Sequence, residues 1–416
     1  MKTLMVNARI WDGSGASAYP GELLVDGDRI EAVAHGAGKL PAEGARTIDV
    51  RAMTVMPGLV EGHAHLSFCG VVRHTELGEL PPEDHAFETM HNARTLLEAG
   101  FTSAFSAASA KIRLDVAVRN QIAAGRIPGP RLRAASPEIT VTGGLGDNDR
   151  LHMAQSSFGL VVDGPVAMAR AVRLCIREGV DTIKINLSGD FALAAAEERT
   201  VMREDEARMA CEVAHDLGRK VASHSRASGA VLRALACGVD VIYHCEYADE
   251  AALDALEAAR DRIFVGPAIG VIHNTLHEAG AYGIDRETAR AIGIERSMEN
   301  AQRTYEQVRR RGIRTVIGGD YGFAWTPQGT NARDLEHFVE LFGYSASEAL
   351  QCATRVGGEL MGLPVGELRA GYLADLLVVD GDPLQDVRVL QDQSRLKAIM
   401  QGGRFFKNLL ADAETP

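Results

Sequence analysis

Short alternations of apolar and polar residues occupy both ends of the chain. Residues 4–10 alternate, and residues 21–33 read as a hairpin with Asp-Gly-Asp at its turn; the pattern returns from about residue 364. A period of two indicates strands with one buried face. Each end alone is too short to bury a core. We therefore expect residues 1–56 and 364–416 to pair into one small β domain, a β-sandwich built from both termini.

Between these ends, β-rich runs alternate with amphipathic or alanine-rich stretches typical of helices. Residues 165–179 are an example, a helical pattern that a glycine stops. The β-rich runs end at His63 and His65, then near Ser106, Ala135, Lys184, His224, His244, Val265 and Asp320. Eight strand–helix repeats predict a parallel sheet with crossover helices, and eight strands close a barrel. The predicted fold class is α/β, with a (β/α)8 TIM-like barrel over residues 57–363.

Composition and charge exclude several partners. The chain has 416 residues, of which 46% are hydrophobic and 24% charged, and its net charge is -12. Nucleic acids and anionic membranes both require a basic face, so neither is expected as a partner. The sequence contains no apolar leader and no apolar run of membrane-spanning length, and its six cysteines are scattered without a CxxC pair. We expect a cytoplasmic protein that acts on a small molecule.

Metal-compatible side chains recur at the ends of the predicted strands, where barrels of this kind carry their chemistry. His63 and His65 lie two residues apart, so both side chains point to the same face of a strand. Alone, this pair fits a metal site and a simple pair of polar residues equally well. The remaining candidates lie within or at the end of four other predicted strands: Lys184, His224, His244 and Asp320. Their coincidence at one rim favours a metal site.

Together these residues resemble the motifs of the metal-dependent amidohydrolase superfamily. The similar segments are residues 57–65, 183–185, 223–225, 242–244, 319–320 and 371–383. Within the superfamily, the chain is similar to the branch of imidazolonepropionase-like proteins and Xaa-Pro dipeptidases. That branch also includes ochratoxin-type amidases and phenylurea or thiocarbamate hydrolases. The resemblance implies a hydrolase on the predicted barrel and a homo-oligomer.

The resemblance also implies two divalent ions, with zinc expected. It assigns their ligands as His63, His65 and Asp320 for the first ion, His224 and His244 for the second, and a carboxylated Lys184 as the bridge. Burial lowers the pKa of a lysine amine, normally about 10.4, and carboxylation makes it an anion that can bridge two cations. Asp320 would take a proton from metal-activated water and deliver it to the leaving nitrogen. Alternatively, Lys184 is a core-edge lysine paired with a carboxylate.

Loop residues supply further candidates. Leu145 stands where dipeptidase-like relatives usually carry histidine, which argues against ordinary dipeptidase activity; Arg150 or His152 would then bind a substrate carboxylate. Asn186 faces the same side of its strand as Lys184, and we expect it to orient that side chain. His273 follows the seventh strand and is a candidate to polarise the scissile carbonyl.

Three aromatic residues follow the eighth strand in a chain that is only 5% aromatic: Tyr321, Phe323 and Trp325. They form either an apolar wall for a substrate substituent or packing at the barrel rim. The first interpretation leads to a hydrolase of an amide-type C–N bond, other than an ordinary peptide bond, in a small and rather apolar N-acyl amino acid or aryl amide.

Three other functions stay open. A urea- or carbamate-type hydrolase fits the same metal centre. A mononuclear deaminase or cyclic amidohydrolase is a further alternative, although relatives of that kind tend to lack the bridging lysine. A catalytically inactive scaffold is the alternative from another class, but such relatives have lost metal ligands that this chain keeps. Metal content per chain would separate these alternatives.

Overall fold

The structure is a computed structural model that describes residues 2–153, 155–191 and 196–410. Its strands are β1 (Lys2–Ile10), β2 (Tyr19–Asp26), β3 (Arg29–His35), β4 (Ala45–Asp49), β5 (Thr54–Pro57), β6 (Leu59–Ala64), β7 (Phe101–Ser106), β8 (Arg131–Arg133), β9 (Ala135–Thr140), β10 (Leu160–Val161), β11 (Thr182–Asn186), β12 (Lys220–Ala227), β13 (Val241–Tyr247), β14 (Phe264–Gly266), β15 (Leu376–Val379), β16 (Leu396–Gln401) and β17 (Arg404–Asn408).

The helices lie mostly between the strands of the central part of the chain. They are α1 (Pro82–Glu98), α2 (Leu114–Ala123), α3 (Pro165–Arg177), α4 (Glu204–Asp216), α5 (Ser228–Cys237), α6 (Glu250–Ala258), α7 (Ile269–His277), α8 (Arg286–Ala291), α9 (Ile294–Arg310), α10 (Arg333–Phe342), α11 (Ala346–Cys352) and α12 (Arg355–Met361). Within the described ranges, none of them is both long and apolar enough to cross a membrane. The protein is therefore α/β, as predicted.

Strands from both ends of the chain form one mixed sheet. Its order is β17-β16-β15-β5-β1-β2-β3, with β4 beside β1. The predicted hairpin is confirmed as β2 and β3, and Gly27 at its turn has a φ of +60°, which glycine adopts without strain. β15 pairs antiparallel with β5, so the C-terminal part extends a sheet that the N-terminal part begins. Its form as a sandwich and the boundaries of the β domain stay predictions, and residues 411–416 lie outside the described ranges.

The centre of the chain forms two parallel sheets, β6-β7-β8 and β10-β9-β11-β12-β13-β14. Residues 314–317 link them: Val316 N donates to Val265 O at 2.9 Å, and Gly62 N donates to Ile317 O at 3.0 Å. One buried apolar cluster takes members from both sheets and from the linking segment: Val60, Phe105, Ala222, Val241, Tyr243, Phe264 and Val316. The two sheets therefore share a core, and their carboxyl ends point to the same region.

Helix α3 illustrates how sequence pattern becomes packing. Pro165 occupies its first turn, where the missing N–H has no intrahelical partner to lose. Met168, Val172 and Cys175 recur at helical spacing and are buried in the core. Gly179 follows the helix with a φ of +101°, a conformation that favours glycine. This confirms the predicted helix and its stop.

Two strand boundaries differ from the prediction. The third run does not end near Ala135 but continues through β9 to Thr140. The eighth run makes a single parallel bridge, between Val265 and Thr315, in place of a full strand. Its backbone then leaves the extended conformation, because Gly318 and Asp320 have φ values of +148° and +62°. This turn aims Asp320 away from the strand direction.

Candidate metal centre

The six predicted metal ligands line one small cavity. The cavity has a volume of about 20 Å³, and we call it the inner cavity. Its lining includes all six: His63, His65, Lys184, His224, His244 and Asp320. They come from the carboxyl end of β6, from β11, β12 and β13, and from the turn after the linking segment. The expectation that these strand ends converge is therefore met by the geometry.

His63, His65 and Asp320 are the tightest group. One potential ligand atom from each lies within 4.8 Å of the other two. His65 Nε2 is 3.1 Å from Asp320 Oδ1, and His63 Nε2 is 4.0 Å from the same oxygen. His65 Nδ1 hydrogen-bonds Ala108 O at 3.0 Å. Because a carbonyl can only accept, Nδ1 carries a proton, and Nε2 is the ring nitrogen that faces the cavity.

The ring of His63 is held by packing. It stacks on Tyr243 with a centroid distance of 3.8 Å, and the Tyr243 hydroxyl donates to Gly62 O at 2.6 Å. The His63 backbone N–H donates to Glu61 Oε1 at 3.0 Å. Both ring nitrogens of His63 are buried without a hydrogen-bond partner among the described residues. Such orphaned nitrogens are costly unless a ligand satisfies them.

His224 and His244 form the second group, with ring centroids 4.3 Å apart. His224 Nε2 hydrogen-bonds Gly189 O at 3.1 Å, which turns Nδ1 into the nitrogen free to bind a ligand. His244 Nδ1 is buried and has no partner in the described part of the chain. The His244 φ of +78° is sparsely populated for a non-glycine residue, and such strain concentrates at functional sites.

Burial sets the protonation states in the inner cavity. It lowers the pKa of His63 and His244 well below the usual range and that of His224 to about 3, so these imidazoles are neutral. Burial also lowers the pKa of the Lys184 amine. Burial alone would raise the pKa of the Asp320 carboxyl, but its interactions with the nearby His63 and His65 outweigh burial and keep the carboxyl ionised. Neutral imidazoles and an ionised carboxylate are the forms that bind metal.

A second, larger cavity adjoins the inner one. It has a volume of about 530 Å³, and we call it the outer cavity; Asp320, Asp190 and His74 line both. Phe323 and Trp325 belong to its apolar wall, with rings stacked 5.5 Å apart. The rest of that wall is Phe191 and six aliphatic residues: Val72, Val271, Ile272, Ile284, Ile292 and Ile294. The outer cavity is large enough for a small apolar molecule whose reacting end reaches Asp320.

Other predicted pocket residues differ in position. Leu145 lines the inner cavity and Arg150 the outer cavity, where its side chain is exposed. Asn186 is buried beneath them; its Nδ2 donates to Glu138 Oε2 at 2.6 Å and to Leu145 O at 2.9 Å. Tyr321 lies below the cavities, with its hydroxyl donating to Asp334 Oδ1 at 3.0 Å. It packs the rim, whereas Phe323 and Trp325 face the cavity.

Two predicted residues are not brought to the site. His152 is exposed in its loop and lines neither cavity. His273 packs against His337 and His277, with ring centroids 4.4 Å and 4.7 Å away. Its helix turns Val271, Ile272 and Thr275 towards the outer cavity, and helical spacing then directs His273 and His277 to another face. The position of a histidine after a strand could not reveal this rotation.

Four charged residues at the site were missed: Glu138, Asp190, Arg226 and Glu246. Glu138 and Asp190 line the inner cavity. Arg226 is buried and forms ion pairs with Asp190, at 3.1 Å, and with Glu246. Each interrupts or directly follows an apolar β-rich run. A lone charge in such a run was the available signal, because buried charges need a partner or a ligand.

Comparisons with known proteins show which family and which solved structures the chain is similar to. The family model described as "Amidohydrolase family" matches residues 54–405. Ochratoxinase from Aspergillus niger is 24% identical over 423 residues, covering 92% of this chain and 82% of its own. A solved prolidase complexed with N-methylphosphonate-L-proline has a TM-score of 0.87 and 27% identity, covering 98% of this chain and 100% of that chain. A Xaa-Pro dipeptidase with bound methionine has a TM-score of 0.83 and 26% identity, covering 99% and 100%.

Proposed function

The chain belongs to the amidohydrolase family, and from this premise we propose that it is a metal-dependent hydrolase of an amide-type C–N bond in a small, rather apolar molecule. The family and the relatives establish a hydrolase with a TIM-barrel-like α/β fold and support amide hydrolysis in general. An N-acyl amino acid or an aryl amide is the proposed substrate, in preference to an ordinary peptide. The observation that carries the proposal is the convergence of six ligand-type side chains on the inner cavity.

The donor atoms fit a pair of divalent ions. His63, His65 and Asp320 offer two imidazoles and a carboxylate around one point. His224 Nδ1 and His244 Nδ1 offer a second pair of nitrogens, and buried nitrogens without partners occur in both groups. Imidazole and carboxylate ligands suit zinc and several other first-row ions. We propose zinc at both sites.

Lys184 lies between the two groups in our assignment. Its side chain is buried to 1% exposure, with Nζ 4.8 Å from the ring centroid of Tyr243. A charged ammonium at this point would repel divalent cations, whereas a carboxylated lysine would supply an anion that bridges them. The lowered pKa of the amine increases the neutral fraction that can react with CO₂. We therefore propose carboxylation of Lys184.

The residues of the chain transfer the proton and bind the substrate. When bound, the ions supply Lewis-acid chemistry: they polarise a carbonyl oxygen and make water more acidic. Asp320, which is ionised, is placed to accept a proton on its carboxylate and to return it to the leaving nitrogen. The outer cavity binds the apolar part of the substrate against Phe323 and Trp325 and holds the scissile bond towards Asp320.

Several broader proposals go with this function. We propose that the parallel sheets close into an eight-stranded barrel over residues 57–363, supported by the hydrogen bonds of residues 314–317. We also propose that residues 1–56 and 364–416 form the small β-sandwich domain. The six free cysteines fit a reducing compartment and a cytoplasmic enzyme. We also propose that the protein is a homo-oligomer that acts on a small molecule and binds neither nucleic acid nor membranes.

Metal analysis combined with a lysine variant tests the centre. Protein prepared with added zinc should contain about two ions per chain. Lys184→Ala should lower metal affinity by at least ~100-fold and abolish hydrolysis of a panel of aryl amides and N-acyl amino acids. A small added carboxylate should partly restore both. Lys220→Ala is the matched control, because Lys220 is the first residue of β12 and does not line the inner cavity. This variant should keep both ions.

The outcomes separate the alternatives. Full metal content and turnover in Lys184→Ala would rule out the bridging role. One ion per chain in the unaltered protein would favour a mononuclear enzyme, and no bound metal would favour a scaffold. Cleavage of ureas or carbamates without cleavage of amides would move the proposal to that bond type.

A further inference from the structure

Three side chains form the boundary between the two cavities, which we call the junction. Among the described residues, Asp320, Asp190 and His74 line both the inner and the outer cavity. A substrate whose apolar part lies in the outer cavity must place its scissile bond at the junction to reach the proposed metal ligands. The donors and acceptors at the junction therefore decide how that bond is held.

Two of the three junction residues are carboxylates. Asp190 Oδ1 lies 3.1 Å from Arg226 Nε and accepts from the backbone N–H of Phe191 at 2.6 Å. Its other oxygen, Oδ2, is 3.6 Å from His224 Nε2, which is beyond hydrogen-bond distance. Asp320 is ionised, as described above. Ionised carboxylates accept hydrogen bonds but donate none, so they suit the N–H of an amide and offer nothing to its carbonyl oxygen.

His74 is the junction residue that can donate a hydrogen bond. One ring nitrogen of a neutral imidazole carries a hydrogen, and both do when the ring is protonated. Within the described ranges, the contacts of the His74 ring are with two aromatic rings, and no group hydrogen-bonds its nitrogens. The residue is exposed to solvent. Its N–H group is therefore free to bind a molecule at the junction.

Two phenylalanines hold the His74 ring, one from each cavity. Phe158 of the inner cavity lies nearly parallel to it, with ring centroids 6.4 Å apart and planes inclined by 24°. Phe323 of the outer cavity meets it edge to face at 5.0 Å and 63°. Aromatic pairs prefer such offset and edge-to-face arrangements. The two contacts keep the imidazole at the junction.

The backbone also ties His74 to Asp320. Two hydrogen bonds, at 2.8 and 3.1 Å, join residues 70–71 to residues 322–324, directly after Asp320. The short helical turn that begins at His74 is closed by Glu76, whose carboxylate accepts two backbone N–H groups from the residues before the turn. The approach of His74 to the junction is therefore set by the same segment that positions Asp320.

We propose that His74 donates a hydrogen bond to the carbonyl oxygen of the scissile amide and to the negative charge that develops on that oxygen. The proposal rests on the proposed function and adds a catalytic residue to it. A secondary amide has one donor and one acceptor: its N–H suits a junction carboxylate, and its carbonyl oxygen suits His74. His74 would thus polarise the carbonyl, the role for which the sequence suggested His273.

The contribution of His74 belongs to the transition state. As the oxygen of water bonds to the carbonyl carbon, the π electrons of the C=O bond move to the carbonyl oxygen. The proton of the water is held by Asp320 and passes to the leaving nitrogen when the C–N bond breaks. A donor already placed at the carbonyl oxygen stabilises this charge more strongly than it stabilises the neutral amide. Loss of the donor should therefore lower kcat and change KM little.

Replacing His74 in the zinc-loaded protein tests this role. His74→Phe keeps a planar ring between Phe158 and Phe323 but removes the donor. With para-nitroacetanilide, an aryl amide, we expect kcat to fall by ~100-fold and KM to stay within a few-fold. His74→Gln, whose side-chain amide can donate, should recover part of kcat. Zinc content should be the same in all three proteins, because His74 is not a proposed ligand.

A tetrahedral compound provides a measurement without turnover. N-phenyl methylphosphonamidate has anionic oxygens on a tetrahedral phosphorus, where acetanilide has a planar carbonyl, and so imitates the transition state of acetanilide hydrolysis. Calorimetry measures its Kd on the zinc-loaded proteins. His74→Phe should weaken binding of the phosphonamidate by ~10–100-fold and change binding of acetanilide little.

His91→Phe is the matched control, because His91 is exposed on α1 and lines neither cavity. It should leave kcat and both Kd values unchanged. Unchanged kcat and unchanged phosphonamidate binding in His74→Phe would overturn the proposal. Loss of zinc from His74→Phe would also overturn it, since His74 would then act through the metal centre. If the unaltered protein hydrolyses no amide, the proposed function fails, while the Kd of the phosphonamidate still tests His74.

Discussion

At the scale of single residues, the inner cavity depends on protonation as much as on position. Asp320 remains ionised although it is buried, because His63 and His65 lie close to it. Its left-handed backbone, with a φ of +62°, turns the carboxylate into the space that both cavities share. A residue in this position can exchange a proton with water on one side and with a bound substrate on the other.

Replacing this carboxylate tests its role. Asp320→Asn keeps the size of the side chain but removes the proton acceptor and one anionic ligand. We expect a folded protein with the circular dichroism of the original, fewer bound ions and a kcat lower by ~100–10,000-fold. Asp285→Asn is the control, since asparagine caps helix α8 as well as aspartate does. Turnover within a few-fold of the original would show that Asp320 does not move the proton.

Single residues also mark the limit of prediction from sequence. The six candidate ligands could be named because each ends or lies within a β-rich run and because their spacing resembles a known family. Glu138 could not be named, since the third run was expected to end near Ala135 and β9 continues to Thr140. His273 was assigned to the site by its position after a strand, but the rotation of α7 decides where its ring points. Such rotations depend on packing between distant segments.

At the scale of elements, the approach of the linking segment to β6 is decisive. Gly62 N donates to Ile317 O at 3.0 Å, and this contact brings Asp320 beside His63 and His65. A Cβ on Gly62 would lie 2.6 Å from Ile317 O and 2.7 Å from Val316 Cγ2. Glycine is therefore required by close approach. The sequence pattern predicts a full strand before Asp320, whereas the structure has a short extended segment with a single parallel bridge.

Gly62→Ala tests this close approach. The added methyl group must push residues 316 and 317 away, and overpacking of this kind costs about 1–3 kcal/mol in the free energy of unfolding. Chemical denaturation of the metal-free protein measures it without a contribution from bound ions. Gly280→Ala is the control, because a Cβ there meets no atom within 4 Å. Equal stability of the two variants would contradict the proposed packing of this segment on β6.

At the scale of the whole molecule, one ion pair fastens the terminal sheet to the parallel sheets. Arg131 of β8 donates from Nε to Asp375 Oδ2 at 2.7 Å and from Nη2 to Asp375 Oδ1 at 3.1 Å. Asp375 also accepts from the backbone N–H of Gly402 at 2.6 Å. Its side chain is 1% exposed, whereas that of Arg131 is 30% exposed. The chain order alone predicts two β-rich ends that meet, but it does not predict where they are attached.

Loss of Arg131 should therefore weaken the attachment of the terminal sheet. Arg131→Met leaves Asp375 buried without its cation, and we expect a cost of about 2–3 kcal/mol, below that of a fully buried pair because water already reaches Arg131. Asp375→Asn in the same chain should recover part of this cost, since no buried charge then remains. The double-mutant cycle should give a coupling energy of about 1–2 kcal/mol, and additive costs would show that the pair is not coupled.

The two tryptophans of the chain make the structural consequence measurable. Trp11 directly follows β1 of the terminal sheet, and its side chain packs into the large hydrophobic core of the parallel sheets, so it reports on the contact between them. Trp325 lines the outer cavity, and both tryptophans are buried. Trp325→Phe leaves Trp11 as the fluorescent probe, while Trp11→Phe leaves Trp325. If the sheets unfold as one cooperative unit, both probes report the same denaturation midpoint. Arg131→Met should move the midpoint of Trp11 below that of Trp325, because the terminal sheet loses its attachment while the core around the inner cavity keeps its own contacts. Midpoints that stay together would mean that the shared hydrophobic core, and not this ion pair, makes the molecule unfold as a single unit.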